Sequence, residues 1–278
     1  ATNAVLLPAN APPCPGIVPL SLLRKTPCSP SGLQTNNSSH PLWSQLKVIY
    51  ENRPIDKLEH ASLTLNNLVV MSINCSSVAE KIPKLVALIL FAEPDVIGLQ
   101  EVWEQFDPAT LSVLPYHILV GELFKGGGLV ILVHRRIPIG NSKPAAYRPA
   151  MKHALGVSVR IAKHAVLTVV NCHFPPAMDP HLRNSHIKWT AEFLHSRPPG
   201  IKIVLGDLNE TVRRSWLAQA IAQGKRWGML RCPYPIGEPT NIVTSKGVRT
   251  MKEIDWILIS ADTPCNATSK YLLPGLST

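Results

Sequence analysis

Five runs of β-forming residues in this chain end in, or contain, an acidic, amide or imidazole side chain. The runs and their polar residues are Leu68–Ile73 with Asn74, Asp95–Leu99 with Glu101, Val166–Val170 with His173, Ile201–Leu205 with Asp207 and Asn209, and Ile254–Ile259 with Asp255. Short apolar runs bounded by polar residues are typical of buried strands. Polar groups at strand ends gather at one rim of a sheet, and carboxylate and carbonyl oxygens are the ligands that Mg²⁺ prefers. The pattern therefore predicts a metal-dependent phosphoester site on a sheet.

Each fragment also has a structural interpretation. A single Asn after a strand is usually a turn residue, and GDLN is compatible with an Asx turn. Glu101 could mark the exit of its strand into solvent. The combination of five such segments, in this order, favours a functional site over five separate turns.

Three motifs carry a resemblance to a known family: LQE at 99–101, GDLN at 206–209 and IDWIL at 254–258. GGGLVILVHRR, HLRNSHIKWTAEFL and PTNIVTSKGVRTMKEIDWIL support it. From about Leu65 onward the chain resembles the endonuclease/exonuclease/phosphatase superfamily. That superfamily includes DNase I, apurinic-site endonucleases, retrotransposon endonuclease domains, deadenylases, sphingomyelinases and inositol-phosphate phosphatases.

The resemblance implies an α/β fold, a four-layer sandwich in which two packed mixed β-sheets are flanked by helices. The residue pattern agrees, because strands alternate with helical segments. We expect helices near Val78–Phe91, starting close to Pro83, at His186–Leu194 and at Ser215–Ala222. We expect a first strand at Leu65–Ile73. A meander is predicted from Leu129–Val133, Ala154–Ile161 and Val166–Val170, with turns at Gly140-Asn141 and Ala162-Lys163.

The domain organisation follows from composition. Residues 1–50 contain no Asp or Glu and are rich in Pro, Ser and Asn, so we expect residues 1–62 to be a flexible extension. Residues 63–278 form the predicted catalytic domain. The family closes its site with a Ser-Asp-His segment and a last strand, which we expect beyond Thr278, so the domain is expected to be C-terminally incomplete. Without that segment the chain should be a poor catalyst.

The resemblance also implies roles for the polar residues. Glu101 and Asn74 would hold Mg²⁺, with Mn²⁺ as the alternative. Asp207 would position and deprotonate the attacking water, and Asn209 would donate to the phosphate. His173 would contact the phosphate or protonate the leaving group. The remaining member is Asp255, which would orient a final histidine.

Charge favours a polyanionic partner. The chain has 28 basic and 18 acidic residues, a formal net charge of +10, and a basic protein attracts nucleic acid. DNA is favoured over RNA. The residues that we assign to nucleic-acid contacts are Arg183, Arg213, Arg214, Thr240 and Arg249. No apolar stretch approaches the roughly 20 residues that a membrane span needs, so no membrane partner is expected. The six cysteines lack CxxC spacing, which argues against zinc.

Three functions stay open. The compact segment after Leu65 favours a retrotransposon-type or apurinic-type DNA endonuclease, in a parent polyprotein or larger assembly. A retrotransposon-type enzyme would act in the nucleus, with an organelle as the alternative. A second reading is an inactive member that binds nucleic acid or protein in a ribonucleoprotein assembly. A third is a deadenylase-, sphingomyelinase- or phosphatase-type hydrolase.

Overall fold

The strands and helices are defined for part of the chain. The computed structural model describes residues 4–7, 68–137, 148–162, 165–209, 230–231, 241–245, 248–252, 254–260 and 269–272. The strands are β1 (Ala4–Leu7), β2 (Val70–Asn74), β3 (Val96–Gln100), β4 (Tyr116–Val120), β5 (Leu129–His134), β6 (Arg148–Met151), β7 (Ala154–Ala162), β8 (Ala165–His173), β9 (Ile201–Asp207), β10 (Leu230–Arg231), β11 (Asn241–Ser245), β12 (Val248–Lys252), β13 (Asp255–Ser260) and β14 (Ser269–Leu272). The helices are α1 (Ile82–Ala92) and α2 (Pro180–His195), with 3₁₀ turns at Ala79–Lys81 and Pro108–Leu111.

Among these residues the strands form two large sheets and one hairpin. The first sheet has the order β14-β1-β2-β3-β5-β4, and the second has the order β10-β13-β9-β8-β7-β6. Each is mixed, because β2 pairs with β3 in parallel and β8 pairs with β9 in parallel, while their other neighbours are antiparallel. Strands β11 and β12 pair with each other.

Helices cover the outer faces of both sheets. In α1, Pro83 occupies the first turn, where its missing N–H is tolerated, and buried Leu85 and Ile89 pack against the first sheet. In α2, the Asp179 carboxylate caps the first turn by accepting from the backbone N–H groups of His181 and Leu182. Helix α2 packs its buried side chains against the second sheet. The four layers are therefore α1, the first sheet, the second sheet and α2, which confirms the predicted sandwich.

The apolar space between the sheets is the central core. It contains Val96, Ile131, Val169, Ile203 and Ile257, none more than 1% exposed. These residues alternate along their strands with residues that face the helices. The two faces of each sheet are thus both buried, which explains the nearly continuous apolar runs in the sequence.

Several expectations need correction. The predicted meander is wrong, because β5 lies in the first sheet between β3 and β4, whereas β7 and β8 pair in the second sheet. Adjacency in sequence suggested pairing, but the chain changes sheets between β5 and β6. The first strand begins at Val70, later than predicted, and α2 begins at Pro180, well before the predicted start at His186. Strand β4 was not predicted.

Other expectations fall outside the described residues. The turn at Gly140-Asn141 and the helix at Ser215–Ala222 are among them, as is Lys163 of the second turn. Within the predicted extension, residues 4–7 form β1 between β2 and β14, and residues 8–62 are not described. The domain boundary and the flexibility of the extension stay predictions.

Candidate active site

Strand alternation places a polar layer at one end of the space between the sheets. Along β8, residues Leu167 and Val169 belong to the inter-sheet core, and His173 lies further along the same face. Along β9, the core residue Leu205 is followed on that face by Asp207. Parallel pairing sets His173 directly beside Asp207. The two residues therefore reach the same rim.

The amide of Asn74 joins the two sheets at this rim. Its Nδ2 donates to Glu101 Oε1 at 2.9 Å and to Asp207 Oδ2 at 3.0 Å. Its Oδ1 accepts from the backbone N–H of Ser76 at 3.0 Å. Asn74 is at the end of β2 and Glu101 directly follows β3, so a single amide from the first sheet reaches a carboxylate from each sheet. This geometry holds the two acidic groups close together.

His173 completes the cluster. Its Nε2 lies 3.3 Å from Glu101 Oε1. Glu101, His173 and Asp207 each offer one ligand atom, and these atoms lie within 4.8 Å of one another. Glu101 has a left-handed φ of 50°, an uncommon conformation for a non-glycine residue. This backbone turn directs the chain away from β3 at the residue that carries the carboxylate.

The two carboxyl groups have opposite pKa shifts. Burial opposes charge on Glu101, but hydrogen bonds from His173 and Asn74 outweigh it and lower the pKa of this carboxyl. Burial raises the pKa of the Asp207 carboxyl, against the attraction of the nearby His173 and the hydrogen bond from Asn74. Opposite shifts in neighbouring groups suit different roles. Glu101 suits permanent charge, and Asp207 suits proton acceptance.

Asn209 and Asp255 lie beside this cluster. The backbone N–H of Asn209 donates to Asp207 Oδ1 at 3.0 Å, and Asn209 has a left-handed φ of 48°. Asp255 begins β13 and pairs in register with Asp207; it is 2% exposed. The structure thus places both predicted residues next to Asp207, one through its backbone and one through strand pairing.

The predicted nucleic-acid contacts are described in part. The Nη2 of Arg183 donates to the carbonyl of Pro175 at 3.2 Å, two residues beyond His173, so this arginine lies near the rim. Arg249 belongs to β12, of which the backbone alone is described. Arg213, Arg214 and Thr240 lie outside the described residues. These assignments stay predictions.

Sequence reasoning missed four buried polar residues around the site: Gln100, Asn171, His153 and His186. His153 lies edge-on to both His173 and His186, with ring centroids 6.3 and 5.3 Å apart. Burial lowers the pKa of His153 to about 4, assisted by His186 and His173. The period-two pattern could have pointed to Asn171, because it shares the strand face of His173 two residues away. We see no sequence signal for His153 or His186.

The residues present fit a hard divalent cation. Two carboxylates of unequal proton affinity converge there, and such oxygen ligands suit Mg²⁺ or Mn²⁺. Imidazole is a less typical ligand for these ions, so His173 suits hydrogen bonding better than ligation. Neither carboxylate has a lysine or arginine ion pair within the part of the chain that the structure describes.

A comparison with protein families shows to which family the chain belongs. Residues 71–277 match the Endonuclease/Exonuclease/phosphatase family. The chain belongs to that family. The match covers both sheets from within β2 to beyond β14 and includes Glu101, His173, Asp207 and Asp255. The resemblance inferred from LQE, GDLN and IDWIL is confirmed.

Solved structures show the same fold at low sequence identity. TDP2 from Caenorhabditis elegans is 15% identical, with a TM-score of 0.52, over 69% of this chain and 63% of that chain. TDP2 from D. rerio, complexed with single strand DNA product, is 18% identical, with a TM-score of 0.52, over 70% of this chain and 85% of that chain. The endonuclease domain of TRAS1, a telomere-specific non-LTR retrotransposon, is 15% identical, with a TM-score of 0.51, over 69% of this chain and 85% of that chain.

Two further findings concern the extent of the likeness. This chain spans less than two thirds of the C. elegans TDP2 chain, 63%. No curated protein sequence matches it. The structural likeness therefore establishes the fold. Separately, neither described helix is long and apolar enough to cross a membrane.

Proposed function

We propose that this protein is a Mg²⁺-dependent phosphodiesterase that nicks DNA. The observation that carries the proposal is the convergence of Asn74, Glu101, His173 and Asp207 from two sheets onto one rim. Two carboxylates held together without a lysine or arginine partner in the described residues are costly for a folded protein. Such an arrangement is accounted for when a cation and a phosphate complete it.

Glu101 would hold the metal ion, with Asn74 beside it. When bound, Mg²⁺ neutralises charge on the phosphoryl oxygens and stabilises the leaving oxygen. Asn74 orients both carboxylates through its two donated hydrogen bonds. Glu101 supplies the permanent negative charge that its lowered pKa maintains at neutral pH.

The remaining side chains would act on the substrate. Asp207 accepts a proton from the attacking water, a role for which a pKa raised toward the working pH is favourable. His173 donates from its imidazole to the phosphate or to the leaving oxygen. Asn209, next to Asp207 on the rim, donates its amide to the phosphate. Asp255 pairs in register with Asp207, and its role would be to orient the final histidine of the family's Ser-Asp-His segment.

The substrate proposal rests on charge and on similar folds. A formal net charge of +10 favours a polyanion, because Lys and Arg contacts with phosphates dominate nucleic-acid affinity. Of the similar structures, one is complexed with a single strand DNA product and another is a retrotransposon endonuclease domain. We extend DNA as substrate to this chain on that basis. A retrotransposon-type role would place the protein in the nucleus, within a polyprotein or larger assembly.

Nicking of supercoiled DNA tests the proposal. The protein is assayed at the full length that its gene encodes. It should convert supercoiled plasmid to open circles in Mg²⁺, and EDTA should abolish the reaction. Abasic duplex, intact duplex, polyadenylate RNA and inositol phosphates serve as parallel substrates.

The outcomes separate the alternatives. Equal nicking in EDTA would contradict the metal assignment. Tight DNA binding without hydrolysis would support a non-catalytic binding subunit. Preferential hydrolysis of polyadenylate or inositol phosphate would move the protein to another branch of its family.

A further inference from the structure

A pair of buried amides connects the two sheets one layer below the candidate active site. Gln100, the last residue of β3, and Asn171, within β8, are both 0% exposed. Gln100 Nε2 donates to Asn171 Oδ1 at 2.6 Å. The two residues are far apart in sequence and belong to different sheets, so this contact exists only when the sheets are packed in the native register.

Asn171 makes a second connection through its amide nitrogen. Its Nδ2 donates to the carbonyl of Leu99 at 2.8 Å and to the carbonyl of Val130 at 3.0 Å. These carbonyls belong to β3 and β5, which pair with Leu99 opposite Val130. One side chain from the second sheet is therefore bonded to two adjacent strands of the first sheet, in addition to Gln100.

The residues around the contact between Gln100 and Asn171, here called the joint, are closely packed. A Cβ at Gly98 would lie 2.0 Å from Leu205 Cδ1 and 3.0 Å from Asn171 Cγ, so a side chain there would displace Leu205 and Asn171. Gln100 Nε2 also donates to the carbonyl of Gly98 at 3.1 Å and to Ser72 Oγ at 3.3 Å. Glycine at 98 thus brings the two amides within reach of each other.

The joint lies next to the site in sequence and in space. Glu101 directly follows Gln100, and His173 follows Asn171 by one full strand repeat on the same face. Asn171 pairs with Leu205, and His173 pairs with Asp207, along the parallel β8 and β9 ladder. The spacing between Gln100 and Asn171 therefore controls the spacing between Glu101 and the pair His173 and Asp207.

We propose that Gln100 and Asn171 are positioning residues that set the separation of the two halves of the active site. Neither touches the reacting atoms; each acts through the residue that follows it on the rim. This inference rests on the proposed function for its catalytic consequence, because it assigns the spacing of that same site. Partners that orient metal-binding groups typically change metal affinity or activity by about 10–100-fold when mutated.

The test must separate positioning from plain stability. Removing one amide would leave the other buried without its partner and destabilise the fold. Replacing both with apolar residues of similar size, in Gln100→Met with Asn171→Leu, can be nearly neutral for stability. Such a double variant should fold and melt close to wild type while lacking the fixed spacing.

The chain offers a matched control. Ser158 and Thr168 form another buried polar pair, with Oγ to Oγ1 at 3.0 Å, between β7 and β8. This pair lies within one sheet. Ser158→Ala with Thr168→Val therefore removes a buried hydrogen bond of the same kind without touching the joint between sheets.

Two assays are run on the full-length protein: Mn²⁺ affinity, from the electron paramagnetic resonance signal of free Mn²⁺, and nicking kinetics. In the Gln100→Met/Asn171→Leu variant, Mn²⁺ affinity should fall about tenfold. The kcat should fall about 10²-fold, since a displacement of about 1 Å has that effect. The KM for DNA should stay within roughly threefold, because phosphate contacts dominate affinity. The control variant should match wild type in Mn²⁺ affinity, kcat and KM.

Each outcome decides the inference. Unchanged Mn²⁺ affinity and kcat in the double variant would overturn it, and so would a wild-type protein that binds no Mn²⁺. If wild type binds Mn²⁺, the double variant binds it weakly and neither cleaves any substrate, the positioning role stands and the proposed function fails. If the double variant does not fold, Gln100→Asn decides by the same criteria, because it keeps the amide and shortens its reach by one methylene.

Discussion

The two ends of strand β3 carry buried acidic groups with opposite character. Asp95, just before β3, is 0% exposed and bonded on both oxygens: Arg136 Nε donates to Oδ1 at 2.6 Å, and the Val69 backbone N–H donates to Oδ2 at 2.8 Å. Glu101, just after β3, has no arginine or lysine ion pair in the described residues and instead shares Asn74 with a second carboxylate. A carboxylate satisfied by the protein stabilises the fold. A pair of carboxylates whose neighbours are an amide and an imidazole indicates a site for an added cation.

The first way to test this contrast is to remove a carboxylate from the Glu101 cluster and another from the Asp95 end of β3. Asp207→Ala should lower the nicking rate of the full-length protein by about 10²–10⁴-fold, the usual effect of losing a general base. DNA affinity should change little, because phosphate contacts with basic side chains dominate it. Single-turnover nicking and filter binding measure the two quantities. A variant that keeps most of its rate would show that Asp207 is not the base.

At the Asp95 end of β3, removing the carboxylate should lower the stability of the fold. Asp95→Asn removes the charged partner of Arg136, so the free energy of unfolding should fall by about 1.5–3 kcal/mol, the range for hydrogen bonds to charged groups. Urea unfolding followed by circular dichroism measures the loss. The nicking rate of Asp95→Asn, measured below its unfolding transition, should stay near that of wild type. A large loss of rate in the folded variant would mean that the two ends are not separate in function.

A smaller effect concerns the acid sensitivity of the Asp95 end. His134, whose backbone N–H donates to the Asp95 carbonyl at 2.8 Å, has its pKa lowered to about 4 by burial and by Arg136. Its unfolded value is about 6.5, so the unfolded chain binds more protons between these values and stability falls as pH drops through that window. His134→Gln, which does not titrate, should lose less stability than wild type between pH 7 and 5. Equal losses in urea midpoint would contradict the assignment.

The fold also shows which features could be predicted from the sequence and which could not. The β-forming runs predicted β3, β9 and β13 to within two residues, because buried strands leave a strong apolar signal. The same runs could not say which strands share a sheet. That choice depends on where the chain crosses between sheets, so β5 was wrongly joined to β7.

The residues of the candidate site were also predicted only where they leave a local pattern in the sequence. The residues predicted at strand ends, including Asn74, Glu101 and Asp207, meet at the rim, because strand ends of packed sheets face a common edge. Gln100 and Asn171 were missed because their importance lies in a contact between sheets. No local pattern records such a contact. Roles for the individual residues stay predictions until variants are measured.

Metal-induced stabilisation tests the central claim most directly, that the carboxylate at the far end of β3 is arranged for a cation. Thermal unfolding of wild type, Glu101→Gln and Asp95→Asn is measured with Mn²⁺ and with EDTA. At ten times its dissociation constant, Mn²⁺ should stabilise wild type by about 1.4 kcal/mol, or roughly 3–6 °C in Tm. Asp95→Asn should melt lower but keep this shift, and Glu101→Gln should lose it. A shift that survives in Glu101→Gln, or that disappears in Asp95→Asn, would contradict the account.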